Sequence, residues 1–160
     1  MNQTAEAEAP TEEHIEDFNE RVAAANKIVR NHMYVSAGVG VIPVPMIDIL
    51  ALSGVQMNMI RKISGLYDVT FTEHIVKNII TSLVGSITPV GVGSVLMKAV
   101  PVINLLTMPA LSGASTYALG KVIIQHLESG GTFLDFNPET VREHFKKEFD
   151  IGRSKAKVKA

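Results

Sequence analysis

The sequence predicts an all-α protein: a compact bundle of about five helices around a central apolar helical hairpin that contains Gly and Pro. Three observations lead there. Apolar residues recur at three- and four-residue spacing, the period of a helix with one buried face. Helix-start chemistry stands at Thr70-Phe71-Thr72-Glu73 and at Asn137-Pro138-Glu139. Two long blocks are almost free of charge and are punctuated by Gly and Pro.

The first helix is expected over residues 12–34. Thr11 suits its N-cap, and Glu12 and Glu13 favour its first turn through the helix dipole. Ile15, Phe18, Val22, Ala25, Val29 and Met33 form its apolar stripe. Residues 1–10 are read as an acidic, disordered N-terminus, residues 11–150 as one helical domain, and residues 151–160 as a flexible basic tail.

The first uncharged block follows. Gly38, Gly40, Pro43 and Pro45 argue against a continuous helix, so a short helix or turn and an extended link precede a helix over 46–67. Its stripe is Ile47, Leu50, Ala51, Val55, Met59, Ile63 and Leu66. Asp48 sits in its first turn, either capping free N–H groups or serving as a buried carboxylate. Gln56 lies on roughly the same face and suits a polar contact between helices.

Thr70 is expected as the next N-cap with Glu73 at the third helical position. The chain then enters the second uncharged block, with apolar arms over 79–97 and 102–120 and Lys98 near the tip. Each arm approaches the ~20 residues of a spanning helix, diluted by Gly, Ser and Thr. Ser112, Thr116 and Gly120 recur at the spacing that lets helix backbones approach closely. Arg61, Lys62 and Lys77 precede the hairpin and Lys121 follows it, so insertion would leave both termini in the cytoplasm. Gly130-Gly131 breaks the chain, and an amphipathic helix with Val141, Phe145 and Phe149 closes it.

Charge and composition exclude several function classes. The 160 residues suffice for one domain, and the net charge of -1 supplies no basic field for nucleic acid. That small net charge hides a segregation: seven acidic residues and no basic one in the first twenty, four basic residues and no acidic one in the last eight. With no cysteine there is no disulfide, thiolate metal site or cysteine nucleophile. No phosphate-binding loop, H-E-x-x-H pair or G-x-S-x-G elbow occurs. No catalytic residue, cofactor or metal ligand is therefore expected. His14, His74 and His144 fall on polar helix surfaces.

Ile42-Pro43-Val44-Pro45-Met46-Ile47-Asp48-Ile49, with Gln56, Met59-Ile60 and Tyr67, resembles the signature of domain-of-unknown-function family 697. Thr116-Tyr117-Ala118-Leu119-Gly120-Lys121, with Glu128-Ser129-Gly130-Gly131, resembles it too. The similarity covers about residues 20–150. Family members occur alone or fused behind GTPase domains in bacteria, and some are membrane proteins. The resemblance implies a stand-alone helical module serving a GTPase in trans, with Pro43, Pro45, Asp48, Gln56, Tyr117 and Gly120 as structural or interaction residues.

Two functions are weighed. One is a non-enzymatic module associated with the bacterial cytoplasmic membrane, with lipid, a GTPase and further copies of itself as partners. The other is a soluble, self-associating scaffold in the cytoplasm.

Overall fold

The computed structural model describes residues 10–40, 45–87 and 101–158, with side chains described for 10–40, 50–87 and 109–155. Among them are five α-helices and no strand: α1 (Glu12–Val39), α2 (Pro45–Leu66), α3 (Glu73–Gly85), α4 (Pro101–Glu128) and α5 (Pro138–Val158). The all-α expectation holds.

α1 is longer than its periodicity suggested. It runs past the expected end near residue 34 because Ser36 is buried and Ala37 packs where Gly113 of α4 leaves room. The Gly40 N–H closes the helix on the Ser36 carbonyl. Pro45 is the first residue of α2, the position where a missing N–H costs nothing. α3 starts later than its capping signal suggested. Its N-cap is Thr72 rather than Thr70, without a side-chain cap bond, so Glu73 opens the helix. Asp68 takes a left-handed φ of 52° just after α2. The Val69 N–H donates to the Ser64 carbonyl. Together these hold the link to α3 outside a helix.

α4 is the central element, packing on α1, α2, α3 and α5. Gly130, at φ 81°, ends it in the left-handed turn that glycine favours. The N–H groups of Gly130 and Gly131 return to the Leu127 and His126 carbonyls. The Asn137 side chain then accepts from the Glu139 N–H at 3.0 Å and caps α5, as its sequence indicated. α5 continues to Val158, so the segment read as a basic tail is helical through that residue.

The core joins Ala25 and Val29 of α1, Met59, Ile60 and Ile63 of α2, and Val76, Ile79, Ile80 and Leu83 of α3 to α4 and α5. Each large aliphatic side chain buried there contributes about 1.5–3 kcal/mol. Two sequence-based core assignments fail. Ile15 and Phe18 are 46% and 44% exposed, because α1 begins beyond the end of the bundle. Leu50 is 75% exposed, and the buried face of α2 rotates to Gln56, Met59 and Ile60.

α3 ends at Gly85, and the connection of the expected apolar hairpin, residues 88–100, lies outside the described residues. From Gly113 to Gly120 every residue of α4 except Tyr117 is buried in the bundle. Among the described residues no helix is long and apolar enough to cross a membrane.

Candidate functional site

Contacts across the bundle fix how the helices run. Arg21, Asn26, Val29 and Ser36 of α1 meet Glu128, Lys121, Gly120 and Thr116 of α4, so these two are antiparallel. Gln56 and Tyr67 of α2 meet Thr116 and Glu128, so α2 runs parallel to α4. Gly152 of α5 lies against Ala114 and Tyr117, so α5 returns antiparallel. The C-terminal part of α1, the start of α2, the start of α4 and the finish of α5 therefore share one end of the bundle.

That end carries little charge. α1 has no Asp, Glu, Lys or Arg after Arg30, α2 has only Asp48 before Arg61, and α4 has none before Lys121. Val35 and Leu50 are 53% and 75% exposed there. Asp48 apart, charge enters it only on α5 among the described residues. The opposite end carries Glu12, Glu13, Glu16, Asp17 and Glu20 on the overhanging start of α1.

Inside the uncharged half lies a buried polar network. The Gln56 amide donates to Ser115 Oγ at 3.3 Å and Thr116 Oγ1 at 3.2 Å. Thr116 donates to Ser36 Oγ at 2.7 Å, and Ser115 donates to the Ser112 carbonyl at 2.9 Å. Gln56, Ser36 and Thr116 are almost completely buried. The network therefore ties α1, α2 and α4 in one register, because any slip strands polar groups away from water. Nearby, His32 sets its Nδ1 2.8 Å from the Ile28 carbonyl and its Nε2 3.3 Å from the Asn58 amide. A ring N–H at Nδ1 would donate to that carbonyl and leave Nε2 to accept from the amide.

A second cluster lies at the charged end. The Tyr67 hydroxyl donates to Glu128 Oε1, and Arg21 Nε stands 3.8 Å from the same oxygen. The Arg21 guanidinium lies over the Tyr67 ring at 5.2 Å. Burial pushes the Tyr67 hydroxyl pKa well above its usual range, and the Glu128 hydrogen bond and charge raise it further. The phenol stays protonated and works as a donor, not as a base. Between α4 and α5 an open groove is lined by Gln125, His126, Ser129, Thr140 and His144. His126 Nε2 is already engaged by the Thr132 carbonyl at 2.8 Å and by Asp135 at 3.3 Å. The Thr132 backbone N–H, then its hydroxyl, hold the Asp135 carboxyl below its usual range. Among the described residues no three His, Cys, Asp or Glu side chains converge to hold a metal.

Of the six residues singled out from sequence, Gln56, Tyr117 and Gly120 have described side-chain surroundings, and they face different neighbours. Pro43 lies outside the described residues. Pro45 opens α2 and Asp48 sits in its first turn, but their side chains lie outside those described. Gln56 is the hub of the network. Gly120 is where α1 and α4 touch: a Cβ there would stand 2.9 Å from Val29 Cγ1 and closer still to Cγ2. Tyr117 faces α5, with Lys155 Nζ 4.9 Å from its ring centre. Sequence reasoning did not single out Ser36, Ser115 or Arg21. The signal for Ser36 was faint: it lies at four-residue spacing from His32 on a helix taken to end sooner.

The family described as "Domain of unknown function (DUF697)" matches residues 4–150. The chain is 31% identical over 149 residues to the protein named "Magnetosome membrane protein 22" of Magnetospirillum gryphiswaldense, a match covering 88% of this chain and 76% of that one. No solved structure matches.

Proposed function

The chain belongs to the DUF697 family, and we propose from that premise that it is a non-catalytic helical module that docks on a membrane by its uncharged end. One observation carries the reading: the described parts of the two nearly uncharged blocks share one end of the bundle, with Val35 and Leu50 exposed there. Exposed apolar surface without charge costs free energy in water and none against lipid. The 31% identical relative, named as a membrane protein, supports the same reading.

Docking or shallow insertion fits better than a span by α4. The part of α4 that precedes its packed segment is residues 101–112, roughly 18 Å of helix. A bilayer's hydrocarbon core is about 30 Å thick. The acidic start of α1 faces the aqueous side in this arrangement, open to a protein partner such as the GTPase expected from the family resemblance.

Fractionation of the untagged protein tests the reading. The membrane pellet should retain it, and detergent should release it. Recovery of the whole population as a soluble, defined oligomer would refute membrane docking and make the uncharged end a contact between copies.

A further inference from the structure

We infer that the surface on which this end lands is anionic phospholipid, read by a basic collar at the end of α5, so that the molecule stands upright on the bilayer. The inference rests on the membrane reading above and adds the lipid class and the orientation.

The collar is held in place by backbone contact. A Cβ at Gly152 would stand 3.0 Å from both Ala114 Cα and Tyr117 Cδ1, so α5 crosses α4 almost without an intervening side chain. Lys155 then reaches over the Tyr117 ring. Arg153 and Lys155 are exposed, and Lys157 follows within the same helix. The acidic groups nearby compete weakly. Asp150 stands 4.0 Å from Arg153, and Glu148 faces His144 at 3.8 Å. The Asp150–Arg153 pair is exposed, and exposed ion pairs hold weakly, while Glu148 is half-buried and turned to its own helix.

The heights match a bilayer surface. From the crossing at Ala114, α5 continues to Val158, roughly 9 Å, while α4 extends back to Pro101, roughly 20 Å. The uncharged tip of α4 thus leads the basic collar by about 10 Å. Tip and collar then fall at acyl-chain and headgroup depth, in a bilayer with a ~30 Å hydrocarbon core and ~40–45 Å overall. The acidic start of α1 stands about 37 Å along that helix from Ala37, several Debye lengths from the headgroups. Anionic lipid therefore attracts one end without the other end cancelling it.

The probes are vesicles of phosphatidylcholine alone and of phosphatidylcholine with phosphatidylglycerol at about 7:3, in about 0.1 M salt. A basic residue near an anionic surface is worth about 1 kcal/mol. The variant R153Q/K155Q/K157Q should lose about 100-fold in affinity for the mixed vesicles and nothing on phosphatidylcholine. The matched variant R61Q/K62Q/K77Q removes equal charge from the belt of α2 and α3, farther from the headgroups than the collar, and should lose far less. The chain has no cysteine, so single labels are clean. A fluorophore on S154C should be quenched by a headgroup quencher, and one on E13C should not. Equal losses in the two triple variants, or equal quenching at the two labels, overturn the inference and leave membrane docking standing. Failure of the wild-type protein to bind either vesicle overturns both.

Discussion

Gly120 gives the sharpest test of the α1–α4 contact. A methyl group at this position would meet Val29 Cγ1 at 2.9 Å and Cγ2 at a still shorter distance. Carbon pairs are comfortable near 3.5–4.0 Å, so something must move by about 1 Å. Val29 cannot readily turn aside, because a β-branched residue in a helix has one strongly preferred rotamer. Overpacking of this kind costs about 1–3 kcal/mol. Replacing Gly by Ala inside a helix returns about 0.8–1 kcal/mol. Gly120→Ala should therefore lose up to about 2 kcal/mol net, lowering Tm by as much as roughly 4–8 °C for a chain of this size. Val29→Ala alone should cost about 2 kcal/mol through lost burial and the space left behind. In the double variant the methyl group introduced by Gly120→Ala fills that space, so the combined loss should fall short of the sum by about 1 kcal/mol or more. Urea unfolding followed by far-ultraviolet circular dichroism measures all four states. A Gly120→Ala protein more stable than wild type, or strictly additive losses, would refute the close approach.

Three other outcomes are expected. Gln56→Met keeps the volume but withdraws the donor from Ser115 and Thr116, so stability should fall by about 1–3 kcal/mol, measured by the same unfolding; an unchanged midpoint would mean the network contributes nothing. Tyr67 has a folded-state pKa above its ordinary 10.0, so its contribution to stability is fully present below pH 10 and is lost as pH rises from there toward the folded value; Tyr67→Phe should flatten the alkaline fall in unfolding midpoint, and an identical fall in both proteins would count against the Glu128 bond. The double substitution Val35→Glu/Leu50→Glu should leave stability within about 0.5 kcal/mol, as exposed sites do, while reducing recovery in the membrane pellet; undiminished recovery would move the docking surface elsewhere.

The helices were legible in the sequence because their apolar periods and two of their caps are local signals. The Asn137 cap and the Gly130 turn need only neighbouring residues, and both were read correctly. What failed depended on tertiary contacts. Nothing local says that Ile15 and Phe18 overhang the bundle, since the stripe they begin is the same one that buries Val29 and Met33. Periodicity also cannot tell a lipid-facing stretch from a core helix. Ser112, Thr116 and Gly120 were read as a helix-contact spacing, which the structure bears out. Thr116 meets Ser36, beyond a reading that ended α1 near residue 34, and Gly120 meets Val29 within it. The site was less legible than the fold for the same reason. Gln56 stood out as a polar residue among apolar ones, whereas its hydroxyl partners are ordinary in sequence and distinctive only once buried.

The charge pattern becomes a surface only when the helices are set side by side. Three boundaries end the uncharged stretches, at Arg30, Arg61 and Lys121, and nothing in the sequence relates them. In the bundle, Asn26 bonds to Lys121, Val29 lies on Gly120, and His32 meets Asn58. These contacts bring all three boundaries to nearly the same height, within about a turn of helix. A cation closes each boundary, so a basic belt crosses the bundle where its uncharged half begins. Burying a core does not require this arrangement. A core needs apolar residues on the inner faces of helices, but here, Asp48 apart, charge is absent from the outer faces too, below one level and on three helices. Outer faces without charge are costly in water unless something covers them. A common height on three helices is what a planar cover imposes. A protein partner would more naturally clear charge from one side of the bundle than from one end. α5, the helix that breaks the pattern, does so with Arg153, Lys155 and Lys157, the sign that suits an anionic plane.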